Sequence, residues 1–377
     1  MSVNTALYCV TDREIYDFLV SSRQRVTSNV MLELVKDRCI FMSTSESRNK
    51  LAEYLAAMPQ DFYSLQSYMT YGHSSVRGER ITSFHLSGIP ESDSLQSVLN
   101  KLRDMTDYGK ITLLNRAGNS VLRVEYSEWD YGKNTLNQRR IRESEIEIIK
   151  DVSGYRFRMP MNDKTTEIAG IIQKELATQP GVALAVEAIE LSGAEDHSAK
   201  TQFFMKLVRS IDGYRYLNVT SVRIDADPAL RAGAEVDPNM AADLEADMER
   251  AEGEVLATIS SVDRVSLKGS GLLSSEVFHQ LKDKGFFISS IVWTMLEKGS
   301  GTWIELEAGF EDAQAGAGFR YFIRGHRPLS PKTPGEVVKC WKAMSQEQKN
   351  ELYPKIEAAA KRIADSVLCS GKSEVEA

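Results

Sequence analysis

The sequence predicts an α+β protein: a helical N-terminal domain followed by about three degenerate strand-helix-strand modules. Three observations lead to this. Apolar residues recur at helical spacing up to about residue 70, and the pattern turns to mixed α and β from about residue 79. Three strand-like runs close on Leu-x-Gly, at Gly88, Gly193 and Gly269. An amphipathic helix then follows each glycine at a similar distance: Gly88 to Leu102 and Gly193 to Leu207 are each 14 residues, and Gly269 to Leu281 is 12.

The helical part begins with Thr11 and Glu14, which fit a capping box, followed by an apolar stripe of Ile15, Phe18 and Leu19. Asn29 is the expected cap of a second helix that turns Met31, Leu34 and Val35 inward. Ser43 and Glu46 read as another S-x-x-E box, before Leu51, Tyr54, Leu55 and Met58 at helical spacing and a stop at Pro59.

In the body, "RITSFHLSG", "ALAVEAIELSG" and "SSVDRVSLKG" are the three strand-glycine runs, and "SLQSVLNKL", "KTQFFMKLV" and "SSEVFHQLK" are the helices that follow. Strands come next: "KITLLNR" and "SVLRVEYSEW", then "YRYLNVTSVRI", then "FFISSIVWTML" and "TWIELEAGF". Further helices, "KTTEIAGIIQKELA" and "MAADLEADMERAEG", precede the second and third copies. The expected divisions are 1–78, 79–178, 179–258 with an acidic insertion, 259–330, and a C-terminal linker and helix at 331–377. Proline marks the linker "SPKTPGEV", because it neither donates to a ladder nor tolerates helix before it.

Composition removes several classes. With 42% apolar and 26% charged residues, the 377-residue chain reads as an ordinary globular protein. A net charge of -7 gives no global attraction to a polyanion, so nucleic-acid binding would need a local basic patch. The four cysteines, Cys9, Cys39, Cys340 and Cys369, form no CxxC pair, so structural zinc is not expected and they read as free thiols, with Cys39 buried. The N-terminus has no signal-peptide pattern and no 18-residue apolar run exists, so a cytoplasmic protein without membrane contact is expected.

Catalytic patterns are sparse. No phosphate loop or nucleophile elbow is present, and Gly316 and Gly318 read as a hairpin tip. His85 lies inside a strand on the face of Ser83 and reads as a satisfied strand histidine. Glu143, Glu145 and Glu147 share one strand face, as do Glu305 and Glu307; such clusters could hold Mg²⁺ for nuclease chemistry, or be the solvated side of antiparallel strands. No catalytic residue, cofactor or metal is assigned. Basic runs are more informative. "NQRRIRE" places Arg139, Arg140 and Arg142 between two strands, on a long hairpin, as expected DNA contacts. "FRYFIRGHR" puts Arg320, Phe322, Arg324 and His326 on one strand face, which fits either phosphate contact with base stacking or pairing with the "ELEAG" carboxylates.

Residues 26–58, "VTSNVMLELVKDRCIFMSTSESRNKLAEYLAAM", resemble the SAP motif, a helix-extended-helix hairpin that binds DNA. Leu34 and Val35 sit at the first-helix apolar pair, Ile40 at the extended link, Ser43 to Ser47 at the small polar turn, Arg48 and Lys50 near the basic position, and Leu51 and Leu55 in the second helix. Cys39 stands where the family has glycine, and Glu46 and Glu53 lower the local charge. The resemblance covers 33 of 377 residues and implies phosphate contact by Lys36, Arg38, Ser43, Ser45, Arg48 and Lys50.

The expected function is therefore a non-catalytic DNA-binding or DNA-associated accessory protein, in the style of a prokaryotic DNA-processing or phage-defence complex. DNA would be the partner of the hairpin, and a protein partner or self-association that of the body. A protein-binding scaffold using the acidic insertion at 235–254 is the alternative, and a metal-dependent nuclease the second.

Overall fold

A computed structural model of the chain describes residues 10–72, 78–88, 92–104, 109–116, 118–179, 183–194, 197–227, 264–330 and 337–375. In chain order the elements begin with α1 (Asp12–Ser21), α2 (Ser28–Lys36), α3 (Arg48–Ala57), α4 (Phe62–Gly72), β1 (Ile81–Ser87), α5 (Ser92–Asp104), β2 (Lys110–Arg116), β3 (Asn119–Trp129), α6 (Thr135–Gln138) and β4 (Arg139–Asp151). There follow β5 (Gly154–Pro160), α7 (Asp163–Ala177), β6 (Ala185–Ala188), α8 (Ser198–Leu207), β7 (Tyr214–Ala226), β8 (Arg264–Lys268), α9 (Glu276–Asp283), β9 (Phe286–Glu297), β10 (Trp303–Asp312), β11 (Ala317–Arg327) and α10 (Gln346–Val375). The protein is thus mixed α+β, with N-terminal helices and then a large eleven-stranded antiparallel sheet with interspersed helices.

The chain divides into two compact units. The first takes Met1–Glu79, Glu91–Ile146 and Asn162–Leu176. Its helical part forms around Ile15, Phe18, Leu19, Met31, Leu34, Val35, Leu51 and Leu55, all buried, as helical periodicity requires. The Thr11–Glu14 capping box is present: the Glu14 amide donates to Thr11 Oγ1 at 3.3 Å, and the Thr11 amide donates to Glu14 Oε2 at 2.8 Å. Two other caps differ from expectation. Thr27, rather than Asn29, caps α2 by accepting from the Val30 amide. Ser47, rather than Ser43, caps α3 by accepting from the Lys50 amide. The serine-rich turn offers several hydroxyls, and the one next to the first helical residue reaches the free amides.

In this unit β2, β3 and the start of β4 are neighbours, with Leu113 opposite Leu122 in the β2–β3 ladder. Ile111, Leu122 and Val124 are buried on one face of the β2–β3 ladder, Val121 is buried on the other, Ile146 is buried in β4, and α5 contributes Leu95, Val98, Leu99 and Leu102 to the buried set. The one-turn helix α6 joins the helical part. Leu136 is packed into the α1–α4 cluster, Asn134 Nδ2 donates to the Glu14 carbonyl at 2.9 Å, and the Thr135 hydroxyl donates to Glu14 Oε1. Thr135, with the Thr11 amide, holds the Glu14 carboxyl below the usual carboxylate range.

The second unit takes Arg80–Pro90, Glu147–Met161 and Ala177–Ala377. Its strands run in the order β4-β5-β1-β11-β10-β9-β7-β8, with β6 also on β1. One core joins α8, α9 and α10 to β7, β9, β10 and β11, with Trp293, Phe203, Phe204 and Ile356 fully buried. The expected run "MAADLEADMERAEG", the acidic insertion at 235–254 and most of "SPKTPGEV" lie outside the described residues.

Candidate nucleic-acid interface

Residues 26–58 hold α2 and α3 in the first unit. α2 ends where the Ile40 amide bonds the Val35 carbonyl at 3.3 Å, a six-to-one closure that needs a left-handed residue just before it. Cys39 fills that place with φ 60°. Its thiol is exposed, correcting the expectation of a buried one: the backbone reversal at a helix end turns the side chain to solvent. Residues 40–43 belong to no helix or strand, Ile40 and Met42 lean on the helical core, and Phe41 between them is 81% exposed. The Ser43 and Ser45 hydroxyls lie 2.7 Å apart, and Ser43 Oγ also accepts from the Ser45 amide, so the polar turn is held by its own side chains.

The hairpin's cations fall into two groups. Arg48 is turned inward. Its Nε donates to the Val26 carbonyl at 3.1 Å, its Nη1 to the Val20 carbonyl at 3.1 Å, and its Nη2 to the Leu19 carbonyl. Burial, and to a smaller degree the charge of Arg23, lowers its pKa. Arg38 is also committed: Nη1 donates to the Pro59 carbonyl at 3.0 Å, and Nη2 to Gln60 Oε1 at 2.9 Å and Tyr68 Oη at 3.1 Å. Both arginines brace helix ends and loops, since a guanidinium supplies several donors in fixed directions. Lys36 and Lys50 are exposed, with Lys50 in a loose pair to Glu46 at 3.7 Å. Ser43, Ser45, Lys36 and Lys50 are thus the outward members of the expected set.

Arg139, Arg140 and Arg142 do not lie on the hairpin connection; they begin strand β4. The connection is residues 130–138, where Asn134 starts α6 by accepting from the Leu136 amide. Arg142 is bound to Glu128 at 2.7 Å and lies 3.8 Å from Glu79. Arg139 donates to Ser127 Oγ at 3.1 Å and lies 5.6 Å from the centre of the Trp129 ring. Trp129 stacks on Tyr131 at 5.9 Å and 16°. Sequence reasoning passed over these two aromatics, although "SEWDYGKN" puts them two residues apart beside a turn and just before the arginine run.

The carboxylate clusters hold arginines. Glu143 and Glu145 meet Arg123 at 2.7 and 2.8 Å, and Glu145 also meets Arg116 at 3.0 Å. Burial raises the Glu145 pKa, but the two arginines outweigh it and leave the carboxyl below the usual range. In the second unit Glu307 accepts from Arg80 Nε and Arg324 Nε, each at 3.0 Å, and Glu305 lies 3.9 Å from Arg324. Arg320 pairs with Glu311. Both strand arginines therefore face carboxylates. Glu147 binds Arg158, which is 4% exposed and bonds Glu357 through Nε at 2.7 Å and Nη2 at 2.8 Å; the Tyr321 hydroxyl donates to Glu357 Oε1 at 2.6 Å. Among the described residues no three His, Cys, Asp or Glu side chains gather as a metal site.

One cleft of about 110 Å³ lies in the second unit, lined by His85, Ser153, Arg156, Glu187, Glu357 and Lys361 among others. His85 Nε2 is 3.3 Å from Ser153 Oγ, whereas its Nδ1 is buried without a hydrogen-bond partner, so the histidine is only half satisfied. Arg156 is paired with Asp151 at 2.9 Å and Lys361 with Glu187 at 2.5 Å, so the cleft's cations are already neutralised. Among the described residues no helix is long and apolar enough to cross a membrane. Comparisons with models of protein families, with curated proteins and with solved structures gave no match to this chain.

Proposed function

We propose that the chain is a non-catalytic DNA-binding accessory protein, in which the α2–α3 hairpin lies against the phosphate backbone of duplex DNA without reading its bases. The supporting observation is the outward set Lys36, Ser43, Ser45 and Lys50 on α2, α3 and the connection between them. The pair between Lys50 and Glu46 spans 3.7 Å, with side chains 70% and 34% exposed, and such a surface pair gives way at little cost to a phosphate. With a net charge of -7 the contact is local and salt-sensitive. The three strand-glycine-helix segments are read as degenerate copies of one module that serves as a platform for a partner.

A gel-shift titration with duplex DNA tests the hairpin. Lys36→Glu/Lys50→Glu is expected to weaken the complex at least tenfold at low salt, and equal binding by this variant and the wild type refutes the reading. The second reading, a protein-docking scaffold, draws support from Phe62 and Tyr63 on α4, which are 44% and 75% exposed.

A further inference from the structure

We propose that Arg139, Trp129 and Tyr131 form a stacking platform for an unpaired base of single-stranded DNA, with Arg140 supplying positive charge beside it. This deepens the DNA-binding reading and adds a second contact in the same unit as the hairpin. The arginine lies 5.6 Å from the Trp129 ring centre, and the Trp129 and Tyr131 rings are 5.9 Å apart and nearly parallel. At 78% exposure most of the Tyr131 ring meets solvent, and Trp129 is 46% exposed. A base laid on Tyr131 would extend an existing stack. Stacking of this kind accepts any base, because every base has a π face.

The platform is exposed yet held. The Asp130 amide donates to the Gln138 carbonyl at 2.8 Å, and Gln138 Nε2 donates to the Lys133 carbonyl at 3.0 Å. Asn134 is tied to the Glu14 carbonyl, and Leu136 is 1% exposed in the helical core. The rings are therefore presented by the end of β3 and a braced connection, which reduces the ordering cost of binding.

Charge favours a polyanion as the occupant. Over residues 128–142 the acids are Glu128 and Asp130, and they are bound by Arg142 and Lys133. Arg139 and Arg140 have no salt bridge to a carboxylate among the described residues, and the Arg140 Nε is buried without a hydrogen-bond partner. An aromatic stack beside two arginines that are outside any such salt bridge fits a base with its flanking phosphates.

The test is fluorescence anisotropy with the full chain and two labelled probes, an oligo-dT strand and a blunt duplex. Tyr131→Ala is expected to weaken oligo-dT binding about tenfold, while Tyr131→Phe, which keeps the ring, stays within about twofold of wild type. Thermal unfolding of both variants should match wild type, since Tyr131 is a surface residue. Equal oligo-dT binding by wild type and Tyr131→Ala, or no oligo-dT binding by wild type, overturns the proposal. The two DNA contacts fail separately. Lys36→Glu/Lys50→Glu should weaken duplex binding more than oligo-dT binding. Duplex binding that depends on these lysines without any oligo-dT binding sinks the platform alone. Tyr131-dependent oligo-dT binding without duplex binding supports the platform and sinks the hairpin alone.

Discussion

The Arg48 guanidinium donates to the Val20 carbonyl at 3.1 Å, tying the first residue of α3 to the end of α1. The last carbonyls of a helix have no donor within it, and Arg48 supplies one to Val20 and another to Leu19. It also reaches Val26 in the following loop. Arg48, one of the two cations placed near the basic position by the sequence, is thus a brace of the domain.

Arg48→Ala should therefore cost about 2–3 kcal/mol in urea unfolding, since hydrogen bonds from a charged donor disappear and partly buried carbonyls are left bare. Arg48→Lys should recover little, because one ammonium cannot span three carbonyls. Lys50→Ala, by contrast, should change stability by under about 0.5 kcal/mol. A loss for Arg48→Ala as small as that for Lys50→Ala contradicts the assignment.

Cys39 adopts φ 60°, where a side chain is strained and glycine is not. Cys39→Gly should stabilise the first unit by about 0.5–1 kcal/mol. A destabilised variant would show that the thiol contributes packing that its exposure does not reveal.

The glycines that close the Leu-x-Gly runs are not equivalent. Gly88 has φ 80°, and a Cβ there would lie 1.9 Å from the Ala183 carbonyl oxygen. At Gly193 a Cβ would meet nothing nearer than a Leu368 methyl at 3.5 Å. Gly88→Ala should cost about 2 kcal/mol or more and Gly193→Ala under about 0.5 kcal/mol, as read from denaturation midpoints. Equal effects would contradict this difference in backbone.

Glu307 gives a pH dependence. Burial raises its pKa, but Arg80 and Arg324 outweigh burial and hold it below its ordinary value of 4.5. A depressed folded pKa means that its contribution is fully present above about pH 4.5 and is lost as pH falls through the folded value. Arg80→Met should therefore destabilise the second unit at pH 7, and the deficit relative to wild type should shrink in acid below pH 4.5. A deficit that is the same at every pH would remove Glu307 as its cause.

Much of this architecture was legible because it rests on local rules. The Thr11–Glu14 box, the Ile15–Phe18–Leu19 stripe and the alternation of "YFIRG" around Tyr321 and Ile323 each express a backbone period or a cap. The N-cap of α3 is Ser47 rather than Ser43 because the helix starts at Arg48, one turn after the only serine in this stretch with a glutamate three residues on. What stayed hidden depends on tertiary contact. Arg158 and Glu357 are 199 positions apart, and nothing around either marks a buried ion pair. The inward turn of Arg48 and Arg38 has the same origin: sequence shows a cation, while the carbonyls it serves are set by packing. The Trp129–Tyr131–Arg139 stack was closer to legible, since its aromatics stand beside the arginine run.

The salt dependence of duplex DNA binding tests the central claim most directly. Apparent affinity should be measured from 50 to 200 mM salt for wild type and for Lys36→Glu/Lys50→Glu. If the two lysines meet phosphates, the variant should bind more weakly, and its plot of log affinity against log salt should be shallower by about two units, near one for each phosphate no longer neutralised. Identical affinity and slope for the two proteins would contradict the account.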